Sequence, residues 1–455
     1  MGDEPFRNAH ERGKNTIFCM KQIISQKKTS GMFAVAFIVL AAMLAACTNG
    51  DGEEDIQEIK FWAMGREGEI VPEVLKEFER ENPGVRVIVQ QIPWTSAHEK
   101  LLTAFAGDAL PDVAQMGNTW IAEFAALDAV AGLNELAEAS SVIKEEDYFP
   151  GIWATNVVGD TLYGVPWYVD TRLLFYRQDI LRAAGIVRPP RDWAEWMQAA
   201  TAVKHHVGKD NFAFYVPLNE YEMQVSLALQ QGVPLLRDGN RYGNFSSPEL
   251  VAALDFYLDF FRKGLAPPSS ETDIANVWDE FARGHFTFYL TGPWNIGEFR
   301  RRLPADLKDD WMTAILPGPS GPGASTAGGS SLVVFKHSEH KDAAFRLVEF
   351  LSRPEIQQQF YEISGNLPPR RSSWRGERLE SDPYLVAFRE QLERALPAPK
   401  IPEWERIVQE LRTVTERAVH EKWTAAEAAR ELDSRIDRIL EKRRWMLARD
   451  GGDGE

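Results

Sequence analysis

Residues 59–64 read IKFWAM, residues 85–89 VRVIV and residues 112–116 DVAQM, three short apolar runs of strand length separated by helical patterns. After the first run, Ile70, Val71, Val74, Leu75 and Phe78 recur at helical spacing until Asn82-Pro83-Gly84 interrupts them. Leu101, Leu102 and Phe105 mark a second helix, and Trp120, Ile121, Phe124 and Leu127 a third. The order βαβαβα predicts an α/β fold with a parallel sheet covered on both faces. Ligands of such sheets sit beyond the carboxyl ends of the strands, here Trp62–Gly65 and Gly117–Trp120.

Further along, Ser247-Pro248-Glu249 opens a helix with an apolar face over residues 250–261, and Gly264 closes it. Residues 316–331 (LPGPSGPGASTAGGSS) are rich enough in Gly, Pro and Ser to predict an irregular connection, followed by a strand over 332–335. A helix over 354–363 should end at Gly365, and Thr424 with Glu427 forms a capping box before a last apolar stripe of Ala428, Leu432, Ile436 and Leu440. A frayed tail is expected over 447–455.

At 455 residues, with 44% hydrophobic and 26% charged residues, the chain can bury a large core, which excludes a mainly disordered or fibrous protein. Its two cysteines, Cys19 and Cys47, both lie near the start, so no disulfide framework and no cysteine zinc site can form beyond them. Residues 1–46 carry a formal charge of +3 and the remainder −19, a balance that disfavours nucleic-acid backbones. Lys21, Lys27 and Lys28 precede the apolar run Met32–Ala46, which stops at Cys47. This is the order of a secretory signal, and the run is too short to span a membrane comfortably. Leu44-Ala45-Ala46-Cys47 looks like a bacterial lipoprotein signal, which implies cleavage before Cys47 and its lipidation, with residues 47–55 as a polar tether. Residues 1–19 fit a signal poorly, and Met20 is the expected start.

No metal-binding, nucleophile-elbow, phosphate-loop or dinucleotide motif is found. His205 and His206 are adjacent and diverge on a helix, so they cannot share a metal as an i, i+4 pair can. Tryptophan stands out instead. All 14 lie beyond residue 61, and Trp62, Trp120, Trp167, Trp278, Trp294 and Trp374 sit at strand ends or beside Gly and Pro. An indole face packs on the C–H face of a sugar ring, while nearby carboxylates and amides bond its hydroxyls. Asp170, Glu220 (in PLNEYE), Asn118 and Asn295 are the polar candidates. Each tryptophan taken alone reads rather as core, except that the loop contexts of Trp62 and of Trp294 in GPWN favour the site, and Glu220 reads equally well as a solvated loop acid.

The chain resembles the extracellular solute-binding proteins of ABC sugar importers, the group that includes maltodextrin- and glycerol-3-phosphate-binding proteins. The resemblance runs from about Ile56 to Arg443 and is carried by FWAMG, AHEKLLTAFAGDALPDVAQMGNTWIAEFAAL, YGVPWYVDTRLLFYRQDILRAAG, TGPWNI, GGSSLVVF, RPEIQQQF with NLPPR, and IPEWERI. It implies a two-lobed periplasmic-binding-protein-like fold of type II, with interleaved lobes joined at a hinge. Lobe 1 is expected over 56–166 plus 329–372 and lobe 2 over 171–325 plus 380–446. By the resemblance, Asp170 bonds sugar hydroxyls, Trp294 stacks, and Asn118, Thr119 and Trp120 give polar contacts. Gly329 faces the cleft with Gly328 and Ser330, and Arg370 lies near the third crossing. A stacking aromatic after Trp404 is not evident.

These readings predict a monomeric, lipid-anchored protein on the extracytoplasmic side that captures a mono- or oligosaccharide and delivers it to a membrane permease. The expected ligand set is Trp62, Gly65, Asn118, Thr119, Trp120, Trp167, Asp170, Glu220, Trp278, Trp294, Asn295, Gly329 and Arg370. No cofactor, metal or nucleic acid is expected, and no catalysis. Two alternatives stay open: a secreted glycoside hydrolase using Asp170 and Glu220, and a binding protein for a phosphorylated polyol through Arg172 and Arg370.

Overall fold

The three apolar runs form β1 (Gln57–Met64), β2 (Val85–Ile92) and β3 (Val113–Gly117), all parallel, as helical crossovers require. The computed structural model describes residues 56–450; the signal, Cys19, Met20, Cys47, the tether to Asp55 and residues 451–455 lie outside the described residues. Alternation along β1 sends Ile59 and Phe61 into a core with Val71, Val74 and Phe78 of helix Gly65–Glu81. Met64, on the other face, packs with Ile92, Leu101 and Phe124. Both faces of this sheet are therefore covered.

The sheet does not stay parallel. It continues through β10 (Gly328–Val334) to β4 (Val165–Asp170) in the order β2-β1-β3-β10-β4, and β10 runs antiparallel to both of its neighbours. The all-parallel expectation is corrected to a mixed sheet. β10 also begins four residues before the expected strand at Leu332, inside the stretch read as irregular. The glycines there serve close strand approach: at Gly329, with φ +126°, an added Cβ would lie 2.3 Å from the Tyr168 carbonyl oxygen.

The second sheet, in the order β8-β5-β7-β6, is built from β5 (Leu173–Arg177), β6 (Phe212–Tyr215), β7 (Phe286–Thr291) and β8 (Trp311–Ala314). Helices Pro248–Arg262, Trp404–His420 and Ala425–Ile439 supply its largest core, with Leu254, Tyr257, Leu411 and Leu432 buried against Phe214 and Phe288. The Thr424 capping box forms as expected, with Glu427 returning a bond to the Thr424 backbone. The last helix, Glu441–Asp450, runs into the stretch expected as a tail.

Register decides where a ligand can reach both sheets. In the first, Ser330 pairs with Gly117 and Gly328 with Asp170, so the ends of β1, β2, β3 and β4 and the start of β10 share one edge. In the second, Leu173 pairs with Thr291, Leu174 with Ala314, and Tyr289 with Tyr215, which puts the start of β5 and the ends of β6, β7 and β8 at one edge. Only Thr171 and Arg172, both buried, separate β4 from β5, so the two edges meet there. The chain passes between the sheets again over 315–327 and a third time between helices Pro354–Ser364 and Val386–Leu392. β9 (Ser325–Thr326), in the second passage, pairs with β11 (Ala395–Leu396), which follows helix Val386–Leu392. A third core of Phe149, Val169, Leu173, Leu367 and Phe388 fills the junction.

Candidate functional site

Arg172 occupies the turn between the sheets and is the hub of one wall. It is 8% exposed, and its guanidinium pairs with Asp170, with Glu222 at 3.2 Å and with Glu220 at 3.5 Å. The acids come from the end of β4 and from the start of helix Glu222–Leu229 after β6, brought together by the strand-end geometry. Burial opposes the charge on Arg172, but the charges of Asp170, Glu222 and Glu220 outweigh it and hold the arginine firmly protonated. Burial, and then the neighbouring Glu222 charge, push the Glu220 carboxyl up to about 8. Burial likewise raises Asp170 against the pull of Arg172, whereas Arg172 overcomes the burial of Glu222 and holds it below its ordinary value. Among the described residues no set of three or more His, Cys, Asp or Glu could hold a metal ion, so the cation at this cluster is the guanidinium.

Trp294 covers this cluster. β7 ends at Thr291, and helix Trp294–Arg302 starts at the tryptophan, whose ring lies 4.6 Å from the Arg172 guanidinium carbon. Trp294 is 40% exposed, which is costly for an indole without a partner and suits a platform for an apolar ring face.

The other wall is aromatic. Gly65, at φ +50°, ends β1, and an added Cβ would sit 2.7 Å from Trp94 Cδ1, so glycine lets Trp94 lie over the strand end. Trp94 meets Trp120 edge to face at 5.8 Å, and Trp120 packs on His98 at 5.1 Å. Trp62 is half-buried with Lys100 Nζ 4.9 Å from its ring. Asn118 and Thr119 begin the short turn Asn118–Trp120 at the end of β3. The Asn118 side chain accepts from Ser331 Oγ at 3.4 Å, but its buried Nδ2 has no partner among the described residues, a donor left for a ligand or water. Behind this wall, Gln115 accepts from the Met64 N–H and donates to Tyr168 Oη, which fixes three strand ends together.

The walls approach each other where helix Trp404–His420 packs against Asn118–Trp120. His98 is raised first by its bond to Glu123 and also by the Glu405 charge on that helix, which burial only partly offsets. Arg412 of the same helix lies 4.8 Å from the Tyr221 ring, beside Glu220 and Glu222.

Four expected residues are placed elsewhere. Trp167 is 1% exposed and stacks on Phe360 in the first core, because it lies inside β4 under a covered face, short of the strand end where Asp170 stands. Arg370, 6% exposed, donates to Asp147 and to the Ser352 carbonyl and braces the first sheet's cover. Asn295, 2% exposed, accepts from Trp278 Nε1 and donates to Thr291 Oγ1, so these bonds, not a ligand, engage both ends of its amide. Trp278 in turn lies under Arg302 and braces the Trp294 helix. Gly329 contributes backbone beside Asp170 rather than a side chain. Glu222 and Trp94 went unlisted among the sequence candidates, although Glu222 stands two residues after Glu220 in the same motif.

Taken together, these walls can stack a ring and bond several hydroxyls at once. Residues 63–358 match the model of the bacterial extracellular solute-binding protein family. A solved structure of the sugar-binding protein MalE from Xanthomonas citri is 53% identical, covers 86% of this chain and 99% of its own, and superposes with a TM-score of 0.84. An uncharacterized lipoprotein of Streptomyces antibioticus is 28% identical over 70% of this chain and 72% of its own length. The diacetylchitobiose-binding protein of Streptomyces coelicolor is 24% identical over 89% of this chain and 98% of its own.

Proposed function

Because the chain belongs to the bacterial extracellular solute-binding proteins, we propose that it captures a neutral sugar outside the cell and hands it to the membrane permease of an ABC importer. The observation that carries this reading is the pairing of an exposed indole, Trp294, with three carboxylates gathered on one buried arginine at the junction of two sheets. The lobes are read as 56–166 with 329–372 and 171–325 with 380–446, and they close when a ligand touches both walls. Asp170 and Glu222 accept hydroxyl hydrogen bonds, Glu220 donates while protonated, and Trp120, Trp62 and Asn118 complete the contacts from the other side. A membrane tether through lipidated Cys47 is part of the proposal, supported by the signal-like sequence and by the relative named a lipoprotein.

The charge inventory opposes a phosphorylated polyol. Arg172 is engaged by three acids and Arg370 by Asp147, so an anion would meet a net negative cluster. Hydrolysis remains as a second reading on one observation, the Glu220 carboxyl held protonated near neutral pH beside Asp170. Incubation with oligosaccharides followed by chromatography separates the two, since cleavage products contradict a pure binding role. The binding reading is tested by thermal shift against neutral sugars, where a ligand at 100 times its Kd adds about 2.7 kcal/mol of stability. A panel that leaves the melting temperature unmoved contradicts it.

A further inference from the structure

Beside Trp294 lies a cavity of about 500 Å³ that the contacts described so far do not use. One side is the face Pro293, Ile296, Gly297 and Arg300 of helix Trp294–Arg302, at i, i+3, i+4 and i+7 spacing. The facing side is Tyr361 and Gly365 at the end of helix Pro354–Ser364, which packs on helix Gly65–Glu81 over the first sheet. Thus the cavity, like the site, is walled by elements of both sheets. Its two rims adjoin the site directly: Pro293 precedes Trp294, and Gly365 precedes Asn366, whose Nδ2 donates to Glu67 in the first turn after Gly65.

The chemistry of this cavity repeats that of the main site. Arg300 Nη2 donates to both carboxylate oxygens of the buried Asp382, at 2.7 and 2.6 Å, and the guanidinium lies 5.0 Å from the Tyr384 ring. The arginine's Nε and Nη1 are not used in that pair. A buried acid and an arginine that orients it repeat the Asp170–Arg172 pair, and Tyr361 is the aromatic residue that lines the cavity, the Tyr384 ring being stacked on Trp311. The volume lies within the roughly 300–1,000 Å³ range of small-molecule pockets.

We propose that this cavity is an additional sugar subsite, so that the protein binds an oligosaccharide whose chain runs from the Trp294 platform past Gly297 to the Arg300–Asp382 pair. This rests on the sugar-binding reading above and extends it to ligand length. Gly297 supplies the test, because it lines the cavity and nothing lies within 4 Å of a Cβ added there, so a larger side chain starts into open space and takes up cavity volume. Replacing a helical glycine also favours the helix, so the variant should fold.

Calorimetric titration of the wild type and Gly297→Leu with maltose, maltotriose, maltotetraose, diacetylchitobiose and triacetylchitotriose, alongside glucose and N-acetylglucosamine, provides the readout. For the series that binds, the wild type gains at least about tenfold in affinity on lengthening. Gly297→Leu erases that gain, leaves the shortest bound sugar within about twofold of wild type, and Gly297→Ala retains it. Overturning results are a wild type that binds a monosaccharide with no gain from lengthening, or a Gly297→Leu protein with an unchanged length profile. If the wild type binds no member of the panel, the sugar reading fails and the subsite fails with it.

Discussion

The two walls of the candidate site are built by different means. The wall on the first sheet is indole and imidazole: Trp94 and His98 pack on Trp120, Trp62 lies under Lys100, and His98 pairs with Glu123. The wall on the second sheet is a charged hub, Arg172 with Asp170, Glu220 and Glu222, capped by a single tryptophan. Stacking tolerates sliding along a ring face, whereas hydrogen bonds to preplaced acids do not. In the proposed binding mode the aromatic wall sets shape and the charged wall sets orientation and identity, and the substitutions that follow separate these roles.

The largest effect is expected from Arg172→Met. It leaves Asp170, Glu220 and Glu222 to repel one another around the lost cation, which should cost about 3 kcal/mol or more of stability in chemical denaturation and abolish sugar binding. Next is Trp294→Ala, which removes an exposed ring and so leaves the melting temperature nearly unchanged while weakening affinity by about 10–100-fold in calorimetry. Trp120→Ala on the opposite wall should weaken affinity by only about 3–10-fold, because Trp94 and His98 remain beside the gap. Equal losses from Trp294→Ala and Trp120→Ala would erase the distinction between the walls.

The smallest effect is a pH dependence confined to the charged wall. Glu220 moves from an ordinary value of 4.5 to about 8, so the folded state keeps a proton that the unfolded chain releases. Its contribution to stability is complete below the lower value and declines as pH rises through the upper one. Melting curves of wild type and Glu220→Gln from about pH 5 to about pH 9 should show the wild type losing ground to the variant as pH rises. Parallel curves would mean that the cluster does not hold that proton.

The sequence made the architecture legible because strand and helix periodicities are local, and the βαβαβα order appears in the structure strand for strand. The antiparallel β10 was hidden, since GGSS carries no apolar period and its pairing with Tyr168 and Val169 comes from residues some 160 positions away. Of the candidate site, Asp170 and Trp294 were picked out from their neighbours, whereas Glu220 read equally well as a solvated loop acid. Arg172 as the hub was not, because its bond to Glu222 spans 50 positions and depends on where β6 ends relative to β5. Trp167 was misread because the sequence does not show where β4 ends: with both faces of the sheet covered, only residues at the strand end reach the site, and Trp167 lies inside the strand.

A neutral sugar rather than an anion is the proposed ligand because Arg172, the cation of the charged wall, is already held by three acids. Competition calorimetry tests it directly, with the oligosaccharide that raises the melting temperature set against glycerol 3-phosphate and glucose 6-phosphate. Saturable heat for the sugar at one site per chain, with no heat or displacement from either phosphoester, is the expected result. Displacement of the sugar by a phosphoester, or tighter binding of the phosphoester alone, would contradict it.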